Sequence, residues 1–174
     1  MTTFVIDQDT SGFSITLKPG PPGLAFDVSG VQGSFDATIT ADGAVDLDAP
    51  LDGRFEMDVR RLDLGNRVLT FGAKRFLSGG LDDASVVGEL VEARSDDGRT
   101  FDADLVLHVR GRSIPVHGTC VFDAGPDGTL RVTGGAVCDP RAFGVALPPL
   151  VRPDAHVRWD LHLAAVPAEL RGAA

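Results

Sequence analysis

Between Phe101 and Asp139 the chain repeats one pattern along three successive stretches, and that pattern leaves few folds open. In the first, Phe101, Ala103, Leu105, Leu107 and Val109 point one way. Asp102, Asp104 and His108 point the other, with Val106 as the apolar exception. In the second the apolar set is Ile114, Val116, Gly118, Cys120 and Phe122, and in the third Leu130, Val132, Gly134, Ala136 and Cys138. A period of two marks a strand with one buried and one wet face. Turn residues separate the stretches: Gly111-Arg112, then Gly125-Pro126-Asp127-Gly128. An antiparallel meander is the expected result.

Face matching sets the expected registers, because a slip of one residue would turn a strand inside out. Closure at Gly111-Arg112 places Val109 opposite Ile114, Leu107 opposite Val116, Leu105 opposite Gly118 and Ala103 opposite Cys120. A second turn centred on Pro126 places Cys120 opposite Val132, Gly118 opposite Gly134 and Val116 opposite Ala136. Small residues then gather on one inner wall: Ala103, Gly118, Cys120, Gly134 and Ala136. Either bulky residues of the opposite wall fill the space before them, or something else does.

The remaining chain repeats the alternation. Phe4-Val5-Ile6 is a short first strand, and Phe13, Ile15 and Leu17 alternate with polar residues. Lys18 to Gly23 is a proline-rich loop. Leu24, Phe26 and Val28 face inward; the parity then slips at Ser29-Gly30, so that Val31, Gly33, Phe35, Ala37 and Ile39 form the inward set. Such a slip is the sequence form of a bulge, which curls a sheet. Asp42-Gly43 is a turn, Pro50 interrupts Ala44 to Gly53, and Phe55, Met57 and Val59 face inward beyond it. From Asn66 to Leu77 the apolar spacing becomes helical, with Asn66 as N-cap and Gly79-Gly80 as stop. Val86, Gly88 and Leu90 then face inward, Asp96-Asp97-Gly98 turns the chain, and the last strand carries Ala155, Val157, Trp159, Leu161 and Leu163 on one face. Eight or nine amphipathic strands and one short helix predict an all-β fold, a closed antiparallel β-barrel, as one domain over residues 1–166 with a C-terminal tail at 167–174. A barrel of about eight strands holds side chains or one small ligand.

Charge narrows the function. The 174 residues carry 16 basic and 25 acidic groups, a net −9. That balance opposes nucleic acid as a partner and electrostatic docking to anionic headgroups. No apolar run approaches the roughly 20 residues that span a bilayer, so membrane insertion is not expected. Met1 to Phe4 has neither the basic nor the apolar region of a secretory signal, and the expected place is the cytoplasm. The expected register separates Cys120 and Cys138 by about 20 Å, too far for a disulfide. The sequence leaves a homodimer open.

Catalytic and metal signals are weak. His108 and His117 share an outer face at about 7–8 Å in the expected register, with Pro115 facing His108 and no third ligand at hand. His156 and His162 are about 20 Å apart along one strand. The carboxylates lie on outward positions or in turns, no GxSxG elbow occurs, and neither cysteine has a histidine on its own face. Surface histidines, with no metal, no cofactor and no catalytic residues, are the expectation.

Several segments resemble the YceI-like family. Leu105-Val106-Leu107-His108-Val109-Arg110-Gly111-Arg112-Ser113-Ile114-Pro115-Val116 resembles its L-x-[IL]-H-G-[VT]-x-[KR]-P-V hairpin. Asp139-Pro140-Arg141-Ala142-Phe143-Gly144-Val145 resembles its D-R-x-D-F-G-[IV] motif. Gly30 to Phe35 and Gly65-Asn66 fall where that family has its G-x-F strand and T-G-N step. The chain departs from the family at Thr10, where a histidine is usual, and in Arg67 to Leu77, which replaces an Asp/His-rich helix. The resemblance implies a lipocalin-like barrel with its helix near the mouth, binding a polyisoprenoid or similar lipid in the lumen as a carrier or sequestering protein, not an enzyme. The lumen-facing ligand-binding set would be Phe13, Ile15, Phe26, Phe35, Phe55, Met57, Phe76, Ala103, Leu105, Leu107, Val116, Gly118, Val132, Gly134, Ala136 and Trp159. Arg67, Lys74 or Arg75 would meet a polar or anionic head. Two other readings stand beside it: a filled-core barrel acting as a protein-interaction module without ligand, and an enzyme acting on a lumen-bound substrate.

Overall fold

A computed structural model describes residues 1–18, 25–63, 67–78, 85–144 and 156–171. It contains β1 (Thr2–Ile6), β2 (Gly12–Lys18), β3 (Ala25–Ser29), β4 (Gln32–Ala37), β5 (Asp52–Asp58), α1 (Arg67–Ser78), β6 (Ser85–Arg94), β7 (Thr100–Val109), β8 (Arg112–Ala124), β9 (Leu130–Cys138) and β10 (His156–Pro167). All pairings are antiparallel, in the order β1-β4-β5-β6-β7-β8-β9-β10. β10 returns to β1 through Phe4↔Pro167, Val5↔Val166 and Ile6↔Ala165. That contact closes an eight-strand barrel, so β1 and β4 to β10 are each paired on both edges.

Two ring positions are filled by interrupted strands. β1 and β2 both pair with β10, at its two ends, while β3 pairs with β2 and β4 with β1. Between β3 and β4 lies Gly30, at φ 77, where the expected parity slip occurs. Val28 before it and Val31 after it are both buried, so the extra residue keeps the inner face apolar across the bend. A second slip, between Leu90 and Glu92 in β6, turns Ala93 inward opposite Ala103.

Both hairpins of the central meander differ from the expected register by two residues. Val109 pairs with Arg112, Leu107 with Ile114, Leu105 with Val116 and Ala103 with Gly118. Its turn is Arg110-Gly111, at φ 54 and φ 71, the double positive that a type I′ turn requires. A turn at Arg110 was not legible because arginine rarely takes that region. In the second hairpin Gly118 pairs with Ala136, Cys120 with Gly134 and Phe122 with Val132. Its loop centres on Asp127, since the Gly125 amide donates to the Thr129 carbonyl at 2.8 Å and the Asp127 carboxylate accepts from the Thr129 amide at 3.1 Å. An even slip preserves the faces, so every inward assignment in β7, β8 and β9 survives.

The slip changes what lies opposite what outside. His108 faces Ser113, and Pro115 faces Val106. His117 faces Asp104, four ladder steps from His108, which makes the two histidines about 14 Å apart rather than 7–8. Cys120 and Cys138 are likewise about four steps apart, and both are free thiols.

At the end where β5 stops and β6 starts, a 3-10 turn at Val59–Arg61 leads toward α1. The Asp58 side chain caps that turn by accepting from the Arg60 amide at 2.8 Å. α1 matches the helix expected from Asn66 to Leu77, although Asn66 and Gly79-Gly80 lie outside the described residues, as do Leu24 and Ala155. Among the described residues, no helix is long and apolar enough to cross a membrane.

Candidate functional site: an apolar cavity inside the barrel

Inside the barrel is a cavity of about 100 Å³. One wall is the small-residue band. Ala103, Gly118, Cys120, Gly134 and Ala136 all border the cavity, as does Ala93, brought inward by the β6 bulge. Longer side chains of the same strands bound the band on both sides, Leu105, Leu107 and Val116 toward α1 and Phe122 and Val132 away from it. Facing the band are Phe13 of β2, Phe35 of β4 and Phe55 of β5, with Leu90, Trp159 and Leu161 completing the wall. Several inward residues, Leu105, Cys120, Ala136, Trp159 and Leu161, stay only half-buried, because they face this space instead of other atoms.

The band is small for a reason visible in the packing. A Cβ added at Gly134 would meet the Thr119 carbonyl at 2.7 Å and the Cys120 Cβ at 2.8 Å. One at Gly118 would meet the Gly135 carbonyl at 2.6 Å. These glycines let β8 and β9 approach closely. Two further glycines carry aromatic rings. Phe55 is the ladder partner of Gly88, and its ring lies where a Gly88 Cβ would go, with Cζ 2.1 Å from that position. Phe35 covers Gly53 in the same manner, with Cδ1 at 2.7 Å.

Two aromatic groups cross the lumen. Phe13 contacts both Trp159 and Phe55 edge-to-face, at 6.0 Å between centroids in each case. They form a bar from the β10–β2 wall to β5. Toward the end away from α1, Phe122 contacts Phe101 at 5.1 Å and Phe35 at 6.4 Å, closing the barrel there. At the α1 end, Met57, Val86, Val109 and Ile114 of β5 to β8 are buried, whereas Ile15, Cys138 and Val157 of β2, β9 and β10 are partly accessible. Trp159 stands between that accessible side and the cavity. Its indole N–H donates to the Cys138 sulfur at 3.1 Å, which holds the ring across the lumen.

Among the described residues the lining is almost entirely carbon: the side-chain polar groups on it are Thr119, the Cys120 thiol and this indole N–H. Burial pushes the Cys120 thiol up to about 11, with Asp102 adding to the shift. The Cys138 thiol is raised too, chiefly by burial, against the lowering effect of the Trp159 hydrogen bond. Neither is a ready nucleophile at neutral pH. The histidines on the outer face make other contacts. His108 meets Ser113 Oγ at 3.0 Å and Glu89 at 3.2 Å, and His117 meets Asp104 at 2.9 Å. Among the described residues no cluster of three or more metal-ligating side chains occurs.

Of the lumen residues expected from sequence, twelve border the cavity: Phe13, Phe35, Phe55, Ala103, Leu105, Leu107, Val116, Gly118, Val132, Gly134, Ala136 and Trp159. Met57 is fully buried and Ile15 packs on the core, but neither lines the cavity. The side chains of Phe26 and Phe76 lie outside the described part. Cys120, Phe122, Leu90 and Leu161 follow from the same alternation and belong to the lining. Ala93 and Gly53 were hidden, the first by the β6 bulge and the second by the irregular stretch around Pro50. Arg67 and Lys74 stand outside the barrel, on a groove between α1 and the 3-10 turn.

No protein-family profile and no curated protein sequence matches the chain. Solved structures do. BcnA of Burkholderia cenocepacia superposes with a TM-score of 0.67 at 16% identity, covering 92% of this chain and 99% of that one. A polyisoprenoid binding domain from Saccharophagus degradans, implicated in plant cell wall breakdown, gives 0.66 at 9% identity, covering 96% and 99%. The YceI protein of Campylobacter jejuni gives 0.54 at 11% identity, covering 79% and 80%. Nearly the whole chain thus adopts the barrel fold of this polyisoprenoid-binding domain, and about four-fifths of it that of the Campylobacter jejuni YceI protein.

Proposed function

We propose that the chain is a YceI-like lipid-binding protein that holds a polyisoprenoid or another long apolar molecule in its lumen, as a carrier or sequestering protein. The observation that carries this reading is the carbon-lined cavity against the small-residue band, in a fold shared with a polyisoprenoid-binding domain. Apolar pockets with few polar groups are the usual form of a small-molecule site. Binding rather than catalysis fits the raised Cys120 thiol within that lining. Two free cysteines suit a reducing compartment, and we place the chain in the cytoplasm on that ground.

The cavity volume adds a condition. At about 100 Å³ it is smaller than the ~150 Å³ cavity that takes up benzene. A long chain therefore enters only as Phe13, Phe55 and Trp159 turn aside. Each isoprene unit taken from water contributes about 3–4 kcal/mol, at ~0.8 kcal/mol per CH₂. Displacing packed rings costs roughly 1–3 kcal/mol. One or two units offset that cost, so the bar selects for length. The rival reading, a filled-core interaction module, draws support from the same rings, which occupy most of the lumen.

Ala136→Phe separates the two. A fluorescent fatty-acyl probe should bind the parent, and the added ring should displace it; the ring, like the ligand, fits only as the bar turns aside, so a denaturant melt should show a cost of roughly 1–3 kcal/mol. If the parent takes up no probe, the lumen is filled and the carrier reading fails.

A further inference from the structure

The net charge of −9 conceals a strongly uneven distribution. From Val59 to Ser78 the chain carries Arg60, Arg61, Arg67, Lys74 and Arg75 against Asp63 alone, a local +4 that leaves −13 for the rest. Helical spacing puts the α1 cations on one side. Arg67, Phe71 and Arg75 follow one another at intervals of four and are all exposed, with Thr70, Lys74 and Ser78 beside them. α1 contains no carboxylate. The 3-10 turn lies against it, since the Lys74 ammonium donates to the Arg60 carbonyl at 2.6 Å. Arg60, Arg61, Arg67 and Lys74 line one open groove together with Phe71.

The five cations outnumber the carboxylates beside them in the chain, Asp58 and Asp63. Among the described residues, Arg60 is paired with Asp58, Arg61 donates to the Gln8 side-chain oxygen at 3.2 Å and helps to lower the Asp58 carboxyl, and Lys74 donates to the Arg60 carbonyl. Phe71, in the middle of the basic face, is 66% exposed. Cations around an exposed aromatic are the composition of a helix that lies in a bilayer interface. The acidic remainder of the molecule would be repelled by anionic headgroups, which leaves this face as the one that can approach them.

We infer that the outer face of α1, together with the Val59–Arg61 turn, is a docking surface for an anionic lipid bilayer. Its cations meet the headgroups and Phe71 enters the acyl boundary. This face sits at the barrel end bounded by the close of β5 and the start of β6, so docking turns that end of the barrel toward the membrane. The inference rests on the outside of the helix and stands whether or not the lumen holds a ligand.

The test is flotation of the full chain with vesicles of pure phosphatidylcholine, or of phosphatidylcholine and phosphatidylglycerol in equal parts. Binding is expected to the anionic vesicles alone. It should be lost between 0.1 M and 1 M salt, as the screening length falls from about 10 Å to about 3 Å. Each interfacial cation is worth about fivefold in binding, so Lys74→Gln with Arg75→Gln should weaken it about 25-fold. Phe71→Ser should cost roughly tenfold, and Arg131→Gln, on β9 at the other end of the barrel, nothing. Melts of each variant confirm the fold; if the pair fails to fold, Arg67→Gln reads one charge alone. Absence of binding, equal binding to neutral vesicles, or undiminished binding by the folded Lys74/Arg75 variant overturns the inference. Vesicle binding without probe uptake would leave docking standing and remove only the lumen reading.

Discussion

Gly88→Ala tests whether there is space beside the aromatic bar. The new Cβ would fall 2.1 Å from Phe55 Cζ, 2.4 Å from Cε1 and 2.8 Å from Cε2. These three nearest atoms all belong to the ring, and Gly88 has no positive φ, so the closest conflict is with the ring. The ring must swing off the strand, and the space beside it is the cavity of about 100 Å³. Overpacking costs roughly 1–3 kcal/mol in a well-filled core. An alanine in a strand recovers about 0.5–1 kcal/mol relative to glycine. With room for the ring the net loss should lie near 0–1 kcal/mol; without it, near 2–3. The displaced ring should also weaken uptake of an apolar probe by at least about tenfold, the effect of some 1.4 kcal/mol. Urea melts with a probe titration read both quantities. Adding Phe55→Leu should restore probe uptake, and the double-mutant cycle isolates the contact. A Gly88→Ala protein that loses about 2 kcal/mol or more, or binds probe as the parent does, refutes the reasoning.

Arg110→Asn should stabilise the β7–β8 hairpin by up to about 1 kcal/mol, because asparagine accepts the left-handed conformation at φ 54 more readily than arginine, with the melting midpoint as the measure. Cys120 should resist alkylation in the native state at neutral pH, because burial pushes its thiol up to about 11; after denaturation both cysteines should label, and a mass two hydrogens lower with no label would contradict the account. Asp104 is held below the ordinary carboxylate value of 3.8, first by its hydrogen bond with His117. Its depressed value means that the contact favours the folded state above the unfolded pKa, an advantage lost as pH falls through the folded one. His117→Ala should therefore move the Asp104 carboxyl upward in an NMR titration, and an unmoved carboxyl would show that the contact is not made in solution.

The fold was legible because burial imposes a period of two, and that signal survives an even error in register. Both central hairpins were misplaced by two residues, yet Ala103, Gly118, Cys120, Gly134 and Ala136 remained on the inner wall. What depends on the partner across the ladder did not survive. His108 and His117 moved apart, and each gained a polar neighbour, Ser113 and Asp104, that the expected register had placed elsewhere. The reason lies in turn chemistry: glycine marks a turn but does not say which neighbour shares it, and Arg110 gave no sign of its positive φ. Residues beyond a bulge, such as Ala93, were lost because one extra residue reverses the parity. The tight fit of Phe55 on Gly88 and Phe35 on Gly53 follows from cross-strand pairing that no single strand encodes. A chain-wide charge likewise could not reveal the basic face of α1, which exists only once the helix sorts its residues by side.

The central claim is that the lumen holds a long apolar molecule, and native mass spectrometry of the protein purified from its host, without detergent, addresses it most directly. The account expects a second population heavier by one ligand, whose added mass passes into organic solvent on extraction and is absent from Ala136→Phe purified in parallel. A single bare mass for the parent, together with no uptake of polyisoprenoid or fatty-acyl probe by the extracted protein, would contradict it.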